Sequence, residues 1–221
     1  MSDRGIVYNV SGGGIAAVAC AILAGELAVI PTDTVYGLAA TATSEGARKL
    51  FAAKGRPENR AIPVLLSEAE AVSQVVSEWP EAAQALASQF WPGALTIVVP
   101  ASPGLPDEIT AGSGTVGVRV PANAAARAVI AATGGYLAVT SANRSGQPTP
   151  TTALAALAAL APAVRVALDG GNLAGGVPST VVAVEQSRLR VLRLGAISPA
   201  DLLAALQRLL PARHITFQVN D

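Results

Sequence analysis

The chain has 221 residues, with 15 basic and 15 acidic side chains, so its formal net charge is zero. Its residues are 51% hydrophobic and 14% charged, which excludes a disordered chain and indicates a globule with one continuous core. Zero net charge argues against a protein that coats nucleic acid, and no unbroken apolar segment is long enough to span a bilayer.

Cysteine and histidine each occur once, and this scarcity excludes several mechanisms. Cys20 cannot form an internal disulfide, and we interpret it as a small core residue of a cytoplasmic protein. His214 lies in the polar C-terminal segment, so neither a Ser-His-Asp site nor a catalytic zinc has the residues it needs. Any metal should be a hard ion such as Mg²⁺, held by oxygen atoms and mainly by the phosphates of a substrate.

Strand and helix signals alternate along the chain and predict an α/β fold. The expected strands are 6–10, 27–30, 62–66, 95–100, 115–120, 136–140, 164–168, 180–185 and 189–194. The expected helices are 14–25, 45–53, 68–78, 81–90, 124–132, 153–160 and 199–209. A hairpin around 186–187 makes the sheet mixed rather than purely parallel. We divide the chain into one domain, residues 1–210, and a C-terminal tail, residues 211–221.

Four helix starts carry recognisable signals. Ser67 with Glu70 predicts a capping box, and Asn123 can cap the helix that follows it. Thr149 and Ser198 each precede a proline, which is favoured in the first turn of a helix.

The segment 31–37 reads PTDTVYG and follows the second predicted strand. It places hydroxyl and carboxylate groups at a strand end, where the loops of an α/β sheet meet a ligand. A turn in which side chains bond their own backbone would explain the same pattern.

Lys54 and Arg56 follow the second predicted helix, and only one other lysine, Lys49, occurs in the chain. Lys49 lies in mid-helix and is typical of a solvated face. The compact ammonium of Lys54 and the planar guanidinium of Arg56 are two residues apart, with Gly55 between them. Together they could bind an anion. Cations at a helix C-terminus can equally be present to oppose the helix dipole.

Two arginines stand out by their position in predicted strands. Arg119 shares one face with Gly117, while the three valines of 115–120 take the other, so a carboxylate-sized ligand would fit beside the glycine. A solvated sheet face is the alternative. Arg193 has the parity of the apolar residues Leu189 and Val191, and an arginine on that side requires a partner or an anionic ligand.

Taken together, eight segments in this order resemble the YrdC-like family of L-threonylcarbamoyladenylate synthases. The matching stretches are PTDTVYGL, AKGRP with IPVLL, FWPGALTIVV, VGVRVP, SANRSGQPTPT, LDGG, STVV and VLRLGAI. They cover nearly the whole chain, and the length predicts the short, single-domain form. The family often has histidine at the positions of Ser67 and Asn123, and this chain departs from it there.

The resemblance implies a twisted mixed β-sheet with helices packed on it and a concave cationic cavity. It also implies a nucleotidyltransferase that forms threonylcarbamoyl-AMP and pyrophosphate from L-threonine, bicarbonate and ATP, with Mg²⁺ carried mainly on the phosphates. A downstream complex would then transfer the threonylcarbamoyl group to adenosine 37 of tRNA. Such a reaction needs positioning and charge neutralisation and no protein nucleophile.

The resemblance also implies roles for individual residues. Lys54 and Arg56 would be the catalytic pair that holds ATP phosphates. Further residues on the nucleotide side would be Thr115, Ser141, Asn143, Thr149 and Arg193. Residues on the threonine side would be Thr32, Thr34, Arg119, Val139 and Ser179, with Arg119 binding the carboxylate. The main alternative is a non-catalytic nucleotide- or RNA-binding relative, although zero net charge leaves room only for weak RNA binding.

Overall fold

The computed structural model describes residues 5–173, 177–186, 188–213 and 215–219. The described strands are β1 (Ile6–Asn9), β2 (Ala28–Ile30), β3 (Gly37–Ala40), β4 (Val64–Leu66), β5 (Leu95–Pro100), β6 (Thr115–Arg119), β7 (Tyr136–Ser141), β8 (Val166–Asp169), β9 (Thr180–Glu185), β10 (Arg188–Arg193) and β11 (Thr216–Val219). The described α-helices are α1 (Gly12–Leu23), α2 (Ser44–Lys54), α3 (Glu81–Phe90), α4 (Asp107–Thr110), α5 (Ala124–Ala132), α6 (Ala153–Leu160) and α7 (Pro199–Leu209), and a 3₁₀-helix spans Ala69–Gln74.

All of these strands join one sheet in the order β1-β8-β2-β3-β7-β4-β6-β5-β9-β10-β11. Strand β8 pairs in parallel with β1 and β2, and β4 with β6, β5 with β9, and β10 with β11 are parallel too. The remaining neighbours are antiparallel, including the β9–β10 hairpin. The mixed α/β sheet predicted from the sequence is therefore confirmed.

Helices cover the two halves of the sheet differently. Helices α1 and α5 contact each other and pack on the β2, β4, β7 and β8 region, where Val18, Ile22 and Ile130 form a buried apolar cluster with strand residues. A larger cluster on the opposite face includes Leu50, Leu86 and residues of helices α2, α3, α6 and α7. Strands β5, β6, β9 and β10 carry helices on that second face, which leaves space on their first face for a cavity.

Two predicted helix starts are confirmed. The side chain of Asn123 accepts a hydrogen bond from the Ala126 amide at 3.0 Å, and Ser198 forms a capping box with Asp201. The other two are wrong. Thr152, and not Thr149, caps α6, and Glu68 occupies the N-cap of the 3₁₀-helix without a side-chain bond. The capping box predicted for Ser67 is absent because its hydroxyl donates instead to Gly135 O at 3.3 Å.

Two strands were not predicted, and one core assignment is wrong. Strand β3 is buried throughout and pairs with β2 and β7, while β11 forms within the segment predicted to be a tail. Cys20 is exposed on α1 because the buried face of that helix is formed by Gly14, Val18, Ala19 and Ile22. None of the described helices combines the length and apolar character needed to cross a membrane.

Candidate functional site

A cavity of about 700 Å³ opens on the sheet face that α1 and α5 leave free. Residues that line it come from seven strands and from the loops that connect them. Its polar lining residues are Thr32, Thr34, Arg56, Thr96, Thr115, Arg119, Thr140, Ser141, Thr149, Thr151, Ser179 and Arg193. Residues far apart in sequence therefore meet around one cavity.

Strand alternation explains why β6 serves both the core and the cavity. Val116, Val118 and the following Val120 are buried in the larger apolar cluster, whereas Gly117 and Arg119 line the cavity. Side chains of a strand point alternately to its two faces, so this division follows from the sequence. The predicted facing of Arg119 is confirmed, since its strand presents it to the open face.

Arg119 is held by three different partners. Its Nη2 donates to Asp33 Oδ1 at 2.6 Å, its Nη1 to Thr34 Oγ1 at 3.1 Å, and its Nε to Gly93 O at 2.8 Å. The residue is only 5% exposed, and burial lowers the pKa of its guanidinium while the Asp33 carboxylate acts in the opposite direction. The ion pair fixes the guanidinium plane and leaves N–H groups for a ligand.

The loop between β2 and β3 is shaped by Thr32. Its hydroxyl accepts hydrogen bonds from the amides of Thr34 and Val35 and donates to Val35 O at 2.5 Å. This pattern is the turn in which side chains bond their own backbone, the alternative interpretation of this segment given by the sequence. The same turn presents Thr34 to Arg119, so the local and the functional interpretations describe one structure.

Arg193 reaches the cavity through an irregularity in β10. Val191 pairs with Val182, but Arg193 pairs with Val181, so one extra residue lies between them. The prediction that Arg193 shares the apolar side with Val191 is therefore wrong, because a β-bulge changes the face of every later side chain. The guanidinium donates to Ser179 O at 2.7 and 3.2 Å and to Ser179 Oγ at 3.0 Å.

Lys54 ends helix α2 and is 4% exposed. Its ammonium donates to the main-chain oxygens of Ser141 and Asn143 and to Asn143 Oδ1. These acceptors carry no net charge, and burial, assisted by the nearby charge of Arg56, lowers the pKa of Lys54 to about 8. Lys54 thus holds the turn that follows β7 and lies behind the cavity surface rather than in it.

Arg56 lies at the cavity surface, two residues past the end of α2. Its Nη1 donates to Thr140 Oγ1 at 3.1 Å and its Nη2 to Ala61 O at 3.0 Å. Within the described ranges, Arg56 Nε is the one buried side-chain nitrogen or oxygen with no hydrogen-bond partner. Burial lowers the pKa of this guanidinium, and the charge of Arg60 adds to the effect. A half-buried cation whose buried Nε is a free donor, and which has no counter-ion among the described residues, favours an anionic ligand.

The structure brings most of the predicted site together. Ten predicted residues line the cavity: Thr32, Thr34, Arg56, Thr115, Arg119, Val139, Ser141, Thr149, Ser179 and Arg193. The other two, Lys54 and Asn143, contact Ser141 from behind the lining. No carboxylate occurs among the described lining residues, and the described part of the chain contains no cluster of three metal-ligating side chains.

Comparison with known proteins places this cavity in a known fold. The family model for Sua5, YciO and YrdC, described as "Telomere recombination", matches residues 20–195. The chain belongs to the Sua5/YciO/YrdC family. This membership agrees with the resemblance carried by the eight sequence segments.

Among its relatives, a threonylcarbamoyl-AMP synthase of Pyrococcus abyssi is 39% identical over 174 residues, which cover 78% of this chain and 51% of that protein. A putative threonylcarbamoyl-AMP synthase of Mycobacterium leprae is 37% identical over 87% of this chain and 88% of its own length. The chain thus spans about half the length of the first of these. The crystal structure of P. abyssi Sua5 complexed with L-threonine superposes with a TM-score of 0.86 at 34% identity, over 96% of this chain and 62% of that one.

Both family histidine positions lie outside the lining in this Sua5/YciO/YrdC member. Ser67 directly follows β4 and donates its hydroxyl to Gly135 O, and Asn123 caps α5. Neither residue contributes to the cavity surface. Both substitutions therefore serve local structure here.

Three residues that contact the predicted site were missed. Thr96 bonds Ser179 at 2.9 Å, Thr140 accepts from Arg56, and Asp33 pairs with Arg119. Thr96 and Asp33 lie inside matched motifs and Thr140 directly precedes one, so the motifs and their borders were the available signal. Tyr36 was missed as well: it is fully buried and donates to Gly171 O at 2.7 Å, which ties the loop before β3 to the LDGG turn.

Proposed function

We propose that the protein is an L-threonylcarbamoyladenylate synthase, which converts L-threonine, bicarbonate and ATP to threonylcarbamoyl-AMP and pyrophosphate. The observation that carries the proposal is the distribution of charge around the cavity. Among the described residues, Lys54, Arg56 and Arg193 bond neutral acceptors only, whereas Arg119 is paired with a carboxylate. The names of the relatives and the threonine complex of P. abyssi Sua5 support the same assignment.

The two kinds of cation fit two kinds of substrate. An uncompensated group such as Arg56, with its free Nε, suits a polyanion because the ligand supplies the missing counter-charge. The Asp33–Arg119 pair has no net charge, which suits a zwitterionic amino acid whose carboxylate meets the remaining guanidinium N–H groups. On this basis the triphosphate lies toward Arg56 and the amino acid toward Arg119.

Beyond placing the two substrates, the reaction requires no nucleophile from the protein. The threonine amine captures carbon dioxide derived from bicarbonate and becomes a carbamate. A carbamate oxygen then attacks the α-phosphorus of ATP, the bond from that phosphorus to the bridging oxygen breaks, and pyrophosphate leaves. Guanidinium groups stabilise the charge that develops on the phosphate oxygens, and held geometry supplies the remaining acceleration.

Mg²⁺ would enter with ATP as part of the substrate. Hydroxyl and guanidinium groups make up the polar lining, and no described lining residue offers a carboxylate ligand. The triphosphate oxygens are therefore the natural ligands of the ion.

The decisive experiment measures pyrophosphate release by the purified protein with each substrate omitted in turn. We expect release from ATP only when threonine and bicarbonate are both present. Equal release without threonine, or none with all three substrates, would reject the synthase assignment. Nucleotide binding without any release would instead support the alternative of a non-catalytic relative.

The product would serve a separate tRNA-modifying complex. Threonylcarbamoyl-AMP is a mixed anhydride, and we propose that its threonylcarbamoyl group passes to adenosine 37 of tRNA. Adding tRNA alone to the purified protein should then leave pyrophosphate release unchanged, because transfer requires the downstream enzyme.

A further inference from the structure

Thr96 lines the cavity, yet the proposed function assigns it no role. It lies on β5 next to Val181 of β9, and it is 3% exposed. On its other side, it is one position beyond the Ile97–Val118 pair, which brings it to Arg119 on β6. Thr96 therefore lies between β6, which carries Arg119, and β9, which Ser179 directly precedes.

Counting hydrogen bonds shows what this hydroxyl can do. Thr96 Oγ1 and Ser179 Oγ are 2.9 Å apart, and this is the one hydrogen bond of the Thr96 side chain among the described residues. Ser179 Oγ also accepts from Arg193 Nη2 at 3.0 Å, because a guanidinium can only donate. A hydroxyl has two acceptor positions and one proton, so Arg193 fills one of the two acceptor positions of Ser179.

We propose that Thr96 is a positioning residue that donates to Ser179 and so turns the Ser179 proton toward the cavity. With both acceptor positions filled by Thr96 and Arg193, Ser179 can act only as a donor to an acceptor oxygen of the bound amino acid. The inference rests on the proposed function, which supplies threonine as the ligand. It extends that function by assigning the direction of the hydrogen bonds to Ser179.

Two substitutions at one position test the inference. Thr96→Val keeps the shape and removes the donor, and Thr96→Ser keeps the donor. At saturating ATP and bicarbonate, we expect Thr96→Val to raise the KM for L-threonine about tenfold, the effect of ~1.4 kcal/mol, and to change kcat by less than about threefold. Thr96→Ser should return the KM to within about threefold of the original value, because its hydroxyl can still donate.

A double-mutant cycle separates positioning from direct contact. If Thr96 acts only through Ser179, Thr96→Val adds less than about a twofold change in a Ser179→Ala background. If Thr96 itself contacts the ligand, its effect persists there, and the inference is wrong. The KM for ATP should stay unchanged in Thr96→Val, since Arg193 keeps its bonds to the main-chain oxygen of Ser179.

A matched control is available in Thr110. It is also 3% exposed, but its hydroxyl donates to Asp107 O, and it is not a lining residue. Thr110→Val should leave the KM for threonine unchanged. An equal rise in both valine variants, or an equal rise in Thr96→Ser and Thr96→Val, would indicate a structural effect and overturn the assignment.

Failure of the proposed function can be told apart from failure of this inference. Calorimetric titration with L-threonine alone needs no turnover, and we expect about tenfold weaker binding to Thr96→Val than to the original protein. Equal affinity for the two proteins, or no binding to either, would overturn the role of Thr96. Pyrophosphate release with all three substrates tests the synthase assignment separately.

Discussion

Arg119 and Arg56 illustrate two ways of keeping a guanidinium in the same cavity. Arg119 is buried against the Asp33 carboxylate and donates from three of its nitrogen atoms. Among the described residues, Arg56 bonds only the Thr140 hydroxyl and a main-chain oxygen, and its Nε has no partner there. The first group is stabilised by the fold itself, while the second would gain its counter-charge from an anionic ligand.

This difference suits Arg119 to positioning a ligand and Arg56 to binding a charged one. A paired guanidinium is held in one orientation before the substrate binds, which favours recognition of a small ligand with one carboxylate. An unpaired one destabilises the empty protein slightly and gains most from a highly charged ligand. The comparison predicts that changes at Arg56 and at Lys54 affect the binding of ATP, whereas a change at Asp33 affects the binding of threonine.

Removing the unpaired cation should have the largest effect. We expect Arg56→Ala to lower kcat/KM for ATP at least about a hundredfold, equivalent to ~2.8 kcal/mol, because the triphosphate loses a charge-assisted partner. The melting temperature should change little, since Arg56 bonds no charged group in the described part of the chain. Arg60→Ala is the control: Arg60 is exposed on the same loop and outside the lining, and its removal should preserve activity. A normal rate in Arg56→Ala would show that this loop is only a surface turn.

Breaking the ion pair should have a smaller and different effect. In Asp33→Asn, Arg119 keeps its bonds to Thr34 and Gly93 but loses its fixed carboxylate partner. We expect the KM for threonine to rise about tenfold, ~1.4 kcal/mol, while the KM for ATP stays within about twofold, since Arg56 is unaffected. Initial rates with each substrate varied in turn provide the measurement.

A charge-matched control keeps this result specific. Glu26→Gln removes one carboxylate from an exposed position outside the cavity lining, so it changes net charge equally. It should leave both KM values as they are. A parallel rise in the KM for ATP and for threonine in Asp33→Asn would instead mean that the two sides of the cavity are not independent.

Much of this arrangement could be predicted from sequence because period-2 alternation and helix caps are local. The facing of Arg119, the cap at Asn123 and the helix start at Ser198 all follow from residues within a few positions. The clustering of distant motifs came from the family resemblance, since no local pattern reports which strands become neighbours.

The errors have a common physical origin in tertiary structure. The facing of Arg193 depended on a bulge that alternation does not reveal. Strand β3, of sequence GLAA, has weak strand propensity and is held by pairing with β2 and β7. The capping box predicted at Ser67 does not form because the Ser67 hydroxyl bonds Gly135, which is distant in sequence. In each case the deciding contact is made with residues that are distant in sequence.

The smallest predicted effect concerns Lys54 and pH. Burial brings the pKa of its ammonium from the ordinary value of 10.5 down to about 8, so its charge is lost in mildly alkaline solution. Between pH 7.5 and 8.5 the protonated fraction falls about threefold, and we expect the Kd of a non-hydrolysable ATP analogue to rise about threefold. Calorimetric titration across that range provides the measurement, with Arg56 charged throughout.

The free energy of unfolding should change in the opposite direction as the pH rises. The folded protein binds this proton less tightly than the unfolded chain, so the penalty for burying the charge is fully present below about pH 8 and is relieved toward pH 10.5. The Lys54 contribution to the free energy of unfolding therefore rises while nucleotide affinity falls. Lys49→Gln, which replaces the other lysine, should retain the same dependence of Kd on pH because Lys49 pairs with Glu45 on the outer side of α2. A Kd that is constant from pH 7.5 to 8.5 would show that the charge of Lys54 does not contribute to nucleotide binding.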